Sequence, residues 1–483
     1  MRLKVVQKIL GLLLAIFSFA LLPPLVIAHW TGDGAASAFA IAILVILCPG
    51  LALWLPVRKV KRDMKLRDGF IVVVLFWVVL GTSGSIPFML VDGLKMSVPD
   101  AIFESLSGLT TTGATVIVGI DYLPPSILFY RQLLQWLGGM GIIVLAVAIL
   151  PILGVGGMQL YRAETPGPMK DAKLTPRITE TAKALWYIYL GLTVACAIAY
   201  LIAGMDLFDA ISHSFSTVAI GGFSTHDLSL GYFDNPLVEA IAVVFMFLAG
   251  INFSLHFLAW RYRNFKPYIF DSEFKLYAGV MIGVCLVCGI GLCATIYQGD
   301  WFHAFRLGIF QAVSIGTTTG FTTTGFQTWP GFLPVLLLFA SFVGACAGST
   351  GGGIKVIRIL LLYKQGWREI QRLIHPNAIL TIKMGGRPVN DRVVDAVWGF
   401  FATYVAVFAA LLLSVMATGL DQVTAFSAVA ACLNNLGPGL GDVSAHYGSL
   451  TSSAKMILAF AMVLGRLEIF TLLVLLTPTF WRA

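Results

Sequence analysis

Residues 315–326 read IGTTTGFTTTGF, a run of threonine and glycine with no charge, set between segments apolar enough to span a bilayer. Polar, flexible sequence at membrane depth survives only where it is buried in protein or lines water. The composition around the stretch places it at membrane depth. The chain has 483 residues, 58% hydrophobic and only 12% charged, with a mean hydropathy of +0.87. A soluble domain carries about 25% charged residues. Runs at 9–28, 37–57, 70–91, 184–204, 236–260, 396–419 and 456–478 each approach or exceed the roughly 20 apolar residues needed to cross. The composition gives an all-α polytopic membrane protein. The first apolar run extends to about Ala28, longer than the roughly 7–15 residues of a secretory signal core.

The polar stretch is not alone. Residues 100–113 read DAIFESLSGLTTTG and 209–222 read DAISHSFSTVAIGG; each opens Asp-Ala-Ile and closes on glycine. The same offset finds LGIFQAVSIGTTTG at 307–320 and, more weakly, TAFSAVAACLNNLG at 424–437. Each copy lies between two apolar runs and begins with residues suited to a helix of about 15 Å, half a bilayer. Asp100 and Asp209 are expected as N-caps. A glycine-centred string follows each helix. Glycine permits the positive φ that aims successive carbonyls one way, and four strings about one axis would replace the hydration shell of a cation. The helix C-termini would add their negative dipole ends.

Charge gives orientation. Most of the 32 Lys and Arg fall in 1–8, 58–68, 158–183, 261–275, 355–395 and the C-terminus, while the opposite side is net acidic. The positive-inside rule places both termini in the cytoplasm, so the net charge of +8 requires no nucleic-acid partner. The seven cysteines fall in apolar segments and read as small buried hydrophobes, without a disulfide framework or metal spacing.

LSGLTTTGAT (106–115), AIGGFSTHD (219–227), TTTGFTT (317–323), NNLGPG (434–439), GSTGGGIKVIRI (348–359) and GRLEIF (465–470) together resemble the Trk/Ktr/HKT superfamily of potassium transporters, across essentially the whole chain. The resemblance implies a pseudo-fourfold repeat of M1–pore-helix–M2 units with two extra N-terminal helices, about ten spans. The units would be 1–68 for the N-terminal pair, then 69–170, 171–268, 269–385 and 386–483. Its filter would use Thr111, Thr112 and Gly113; Ile220, Gly221 and Gly222; Thr318, Thr319 and Gly320; and Asn435, Leu436 and Gly437. It further implies a bacterial inner-membrane protein that takes up K⁺, accepts Rb⁺, needs no organic cofactor, and forms a homodimer. A TrkA-like cytosolic ring binding NAD or ATP/ADP would dock on its cytoplasmic loops.

Two features suggest a gate. Residues 344–353 read GACAGSTGGG, and five glycines will break the span expected over 332–364, at about 1 kcal/mol each relative to alanine. The run is not a phosphate loop, because Lys355 is followed by Val356 and no Gly-Lys-Ser/Thr closes it. Arg466 lies in the last span, where an arginine faces the protein interior or water. Glu468, two residues on, points to a different face. Arg466 with Gly348, Ser349, Thr350, Gly351, Gly352 and Gly353 is expected to close the path below the filter, as the corresponding elements do in the resembling family. The alternatives are a sodium or weakly selective pore, and an ion-coupled secondary transporter; the latter class usually shows two repeats and not four. An intramembrane enzyme would require a cluster of histidines and carboxylates in the spans, which offer only scattered candidates such as His256.

Overall fold

Within hydrocarbon, each backbone N–H and C=O must find its partner inside the protein, which favours helices. The computed structural model describes residues 3–60, 65–141 and 178–482. Among them, six helices are long and apolar enough to cross a membrane: Leu3–Thr31, Ala36–Val57, Arg67–Leu90, Lys183–Ile202, Ser272–Thr295 and Asp391–Met416. The first two pack through small residues, so closely that a Cβ on Gly11 would stand 2.7 Å from the carbonyl oxygen of Gly50. Close backbone approach of this kind is how helices associate where lipid removes the hydrophobic drive.

Two further runs expected as plain spans are broken. Pro236–Ala249 and Phe253–Tyr262 meet at 93°, and Ser452–Arg466 and Phe470–Leu476 at 113°. In the first, the Asn252 side chain accepts a hydrogen bond from Ser254 N at 2.8 Å and starts a new helix. In the second, Glu468 and Ile469 adopt φ of 51° and 58°, which no helix interior permits. The run 332–364 divides, as its glycines predict, into Leu333–Val343 and Val356–Ile374. The basic stretch 355–395 is therefore mainly helix and not a solvated loop; beyond it, Lys383–Met384 pairs antiparallel with Arg387–Pro388. The basic segment 158–183 lies outside the described residues up to 177, as does the expected unit boundary at 170.

The four repeated stretches form the short helices Val98–Leu109, Leu207–Ala219, Trp301–Gly316 and Gln422–Asn434, of 12, 13, 16 and 13 residues. At 1.5 Å per residue these are about 18–24 Å long, too short for a hydrocarbon core of about 30 Å. Each is capped by a side chain: Ser97, Asp206, Asp300 and Asp421. Asp100 and Asp209 are thus not N-caps. Each stands three residues inside its helix, because an earlier oxygen takes the cap, and each donates its own N–H to that cap. Their charge still favours the helix N-terminus. Polar side chains on these helices, including Ser105, Ser107, His213, Ser314 and Ser427, are fully buried: they face protein, not lipid. Of the cysteines, Cys48 departs from the expected burial and lies exposed on the outside of Ala36–Trp54.

Candidate functional site: a ring of four glycine strings

Each short helix ends in the same turn. The N–H one residue before each key glycine reaches back five residues: Thr112 to Ser107 O at 2.9 Å, and Gly221 to Ser216 O, Thr319 to Ser314 O and Leu436 to Ala431 O at 2.8 Å. The residue two before the glycine is left-handed in every string, with φ of 57° at Thr111, 55° at Ile220, 70° at Thr318 and 55° at Asn435. Only glycine enters this region freely, and for other residues it costs about 1–2 kcal/mol. Four occurrences at one register position mark a conformation imposed by the surroundings. Gly113, Gly222 and Gly320 return to positive φ at 79°, 79° and 89°. Gly437 does not, and Pro438, which disfavours the helical region for the residue before it, follows.

The strings abut in a closed circle. A Cβ on Gly113 would be driven into the carbonyl of Gly221, and one on Gly222 into that of Thr319. A Cβ on Gly320 would lie 2.8 Å from Pro438 Cδ, and one on Gly437 would lie 2.7 Å from Gly113 O, which completes the circuit. Gly113, Gly222, Gly320 and Gly437 also line one cavity of about 660 Å³.

Side chains fix the strings from behind. Gln135 donates to Gly221 O at 2.7 Å and accepts from Phe223 N at 3.0 Å. The Tyr447 hydroxyl donates to Gly437 O at 2.9 Å. Asn435 ties the fourth string to the first by donating to Thr112 Oγ1 at 3.1 Å, and also reaches Met462 O at 2.9 Å. Thr110 and Thr112 share a hydroxyl hydrogen bond at 2.8 Å, as do Thr317 and Thr319. Arg131 bonds Glu104 at 2.9 Å, Thr115 Oγ1 at 3.2 Å and Ser224 O at 3.0 Å, with both charged side chains essentially inaccessible. Glu104 in turn accepts from Val116 N at 2.9 Å. One buried ion pair therefore grips the chain just beyond both Gly113 and Gly222.

Beneath the ring lies the glycine loop. Thr350 donates its hydroxyl to Val218 O at 3.0 Å, Gly352 donates its N–H to Thr318 Oγ1 at 2.7 Å, and Gly353 donates to Asn434 O at 3.0 Å. The loop thus touches the ends of the second, third and fourth short helices. Arg466 supplies the remaining side: Nη1 donates to Thr350 O at 3.0 Å and Nη2 to Gly138 O at 2.7 Å, at the end of Pro125–Gly139. Glu468 pairs with Arg358, and Lys355 Nζ donates to Gly351 O. Gly348 and Ser349 are placed differently from the rest of the loop. Gly348 O accepts from Phe253 N at 3.0 Å, and Ser349 bonds back to Cys346 O. Gly348 thus anchors the loop to the broken helix, and Ser349 closes a turn within the loop.

The sequence reading missed Glu104, Arg131 and Gln135 behind the strings. It also missed Glu273, whose Oε1 accepts from Ala347 N at 2.7 Å and Ile357 N at 3.1 Å and so pins both flanks of the loop. A charged residue amid an apolar run was the available signal at Arg131; Glu273, flanked by Asp271 and Lys275, carried none. His256, singled out as a lone candidate, bonds the Tyr268 hydroxyl at 2.7 Å and Leu248 O at 2.9 Å, a structural role.

Comparison with known proteins agrees with this architecture. A family model described as TrkH, cation transport protein, matches residues 35–296 and 281–482. The chain is 59% identical over 485 residues to the Trk system potassium uptake protein TrkH of Vibrio parahaemolyticus, with 100% of both chains covered. It is 54% identical over 490 residues to the TrkH of Escherichia coli K12, again over 100% of both, and 42% identical to TrkG of the same strain over 99% of each. The crystal structure of the potassium transporter TrkH from Vibrio parahaemolyticus superimposes with a TM-score of 0.91 at 57% identity, covering all of both chains.

Proposed function

The chain belongs to the TrkH family of cation transport proteins, and from that premise we propose that it takes up potassium through the ring of four glycine strings. Its relatives are named for potassium uptake, a transport function and not a catalytic one. The observation that carries the reading is the closed circuit Gly113–Gly222–Gly320–Gly437, in which each glycine has room for no side chain or presses on the next string. Main-chain oxygens of Thr111, Thr112 and Gly113 and their counterparts at Ile220, Gly221, Gly222, Thr318, Thr319, Gly320, Asn435, Leu436 and Gly437 would stand in for the water around a dehydrated K⁺. Gln135 and Tyr447 already bond the carbonyls of Gly221 and Gly437, which supports fewer full coordination sites than in a TVGYG filter. Rb⁺ is accepted, and discrimination against Na⁺ is modest.

In this reading the chain is a pseudo-fourfold pore. The units 69–170, 171–268, 269–385 and 386–483 surround the axis and 1–68 packs outside. The loop at 350–353 and Arg466 form the gate. A fixed guanidinium and a backbone plug below the ring raise the barrier to a cation at the depth where dielectric screening is weakest. Opening requires that the loop leave the helix ends that it now satisfies. A TrkA-like nucleotide-binding ring on the cytoplasmic face, against a homodimer of this chain in the bacterial inner membrane with both termini cytoplasmic, would supply that work. Reversal potentials of the purified chain in a planar bilayer test the reading. They should follow the K⁺ gradient and accept Rb⁺; equal weight for Na⁺ would favour a weakly selective cation pore instead.

A further inference from the structure

The cavity above the ring is also lined by His226, four residues beyond Gly222 and partly open, its side chain 16% exposed. Both ring nitrogens face carboxylates. Nδ1 lies 2.6 Å from Asp121 Oδ1 and Nε2 lies 3.1 Å from Asp209 Oδ2. A neutral imidazole has one N–H and one lone pair, and a carboxylate only accepts. Two carboxylates on one ring are satisfied together only by the imidazolium. The two acids belong to different parts of the ring. Asp121 follows the first string, and Asp209 sits on the second short helix, Leu207–Ala219.

The junction is cross-braced and leads back to the second string. Asp227 accepts from Gly119 N at 3.1 Å, while Asp121 accepts from Asp227 N at 3.3 Å. Asp209 Oδ1 accepts the Thr225 hydroxyl at 2.6 Å, and His226 N donates to Ser224 Oγ at 3.1 Å. Ser224 Oγ also meets His213 Nε2 at 2.9 Å. Tyr232 stacks on His226 at 3.5 Å, which favours a charged ring. Among the described residues, the titratable groups facing His226 are Asp121, Asp209, Asp227, His213 and Tyr232.

We propose that His226 is a proton-operated latch on the outer mouth: charged, it ties the first string to the second helix; neutral, it releases one of the two and loosens the filter. This rests on the filter reading above. Burial works against the charge on His226, but the hydrogen bonds to Asp209 and Asp121 outweigh it and hold the ring above its ordinary pKa. The raised pKa makes the latch complete below the ordinary histidine value, and it is lost as pH rises through the folded one. Losing the positive charge would also concentrate every monovalent cation near the mouth equally. The diagnostic quantity is therefore the ratio of ion fluxes and not their size.

The test uses the full chain in liposomes, with the same pH on both faces, and measures Rb⁺ and Na⁺ fluxes from about pH 6 to about pH 9, a range that brackets histidine titration. The Rb⁺/Na⁺ ratio should fall severalfold as pH rises. Asp121→Asn should move the midpoint down by about one unit, since it removes one of the two opposite charges. His226→Gln, which carries one donor and one acceptor at every pH, should give a ratio independent of pH. Potassium-competed Rb⁺ flux with a flat wild-type ratio, an unmoved midpoint in Asp121→Asn, or an unchanged slope in His226→Gln would overturn the latch alone. Absence of potassium-competed flux at every pH, in the full chain and in its gate-opened Arg466→Ala variant alike, would overturn the latch and the filter together.

Discussion

Arg466 Nη1 donates to the carbonyl of Thr350 across 3.0 Å, joining the break in the last helix to the glycine loop. The other end of the guanidinium reaches Gly138 O, so a single side chain spans from the loop to the first unit. An arginine at this depth is costly unless its donors are met, and here the broken backbone meets them. In the proposed gate its positive charge and its carbonyl bonds act together. Arg466→Ala should raise K⁺ flux through the purified chain in liposomes without its cytosolic partner; the charge barrier and one anchor of the loop disappear together. Unchanged flux would remove Arg466 from the gate.

Glu273 offers a second way to free the same loop. Its carboxylate accepts from Ala347 N and Ile357 N on either flank. Glu273→Ala strands two backbone donors, at about 1–3 kcal/mol each. The closed loop loses that support directly, so unstimulated Rb⁺ leak should rise, and protease cleavage between 344 and 355 should accelerate. A loop as protected as in the unaltered chain would contradict the assignment.

The Glu104–Arg131 pair bears on stability. Both side chains are essentially inaccessible, and removing one partner from a buried pair costs about 3–5 kcal/mol. Glu104→Gln keeps the shape but leaves Arg131 without its counter-charge. It should lower the midpoint of thermal unfolding in detergent by several degrees and broaden ion selectivity, because Thr115 and Val116 lose their carboxylate acceptor and Arg131, which holds Ser224 O, loses its anchor. The double replacement Glu104→Met with Arg131→Met should recover stability but not selectivity.

Gly222→Ala would place a methyl group against Thr319 O in a left-handed backbone. The conformation alone costs about 1–2 kcal/mol, and thermal unfolding in detergent checks that the variant folds. Potassium uptake should nevertheless fall by an order of magnitude or more, since the third string must yield. Gly437→Ala, in an ordinary conformation and meeting Gly113 O at 2.7 Å, should be milder. Equal activity of both variants and the parent would argue against a filter at these positions.

The parts visible in the sequence were those with a register. Four glycines at a constant position in the repeated stretches 100–113, 209–222, 307–320 and 424–437 can be counted, and the fourth copy, faint in its letters, has the same turn hydrogen bond as the others. Arg466 stood out because charge is rare in an apolar run. The parts hidden from it join residues far apart in the chain. Nothing local pairs Glu104 with Arg131 or sends Glu273 to the flanks of the loop. The breaks after Ala249 and Arg466 were hidden by hydropathy itself: an apolar composition records what a segment dissolves in, not whether its backbone continues straight. The caps were misplaced because Asp100 and Asp209 are good capping residues with a better-placed oxygen three residues earlier.

The central claim is that the four strings hold a dehydrated cation at their common centre. Rb⁺ scatters anomalously and substitutes for K⁺, so crystals of the chain grown in rubidium test it directly. The account predicts an anomalous peak on the axis encircled by Gly113, Gly222, Gly320 and Gly437, in contact with main-chain oxygens of more than one string, and its loss when sodium replaces rubidium. Rubidium bound elsewhere in the molecule with that axis empty would contradict it.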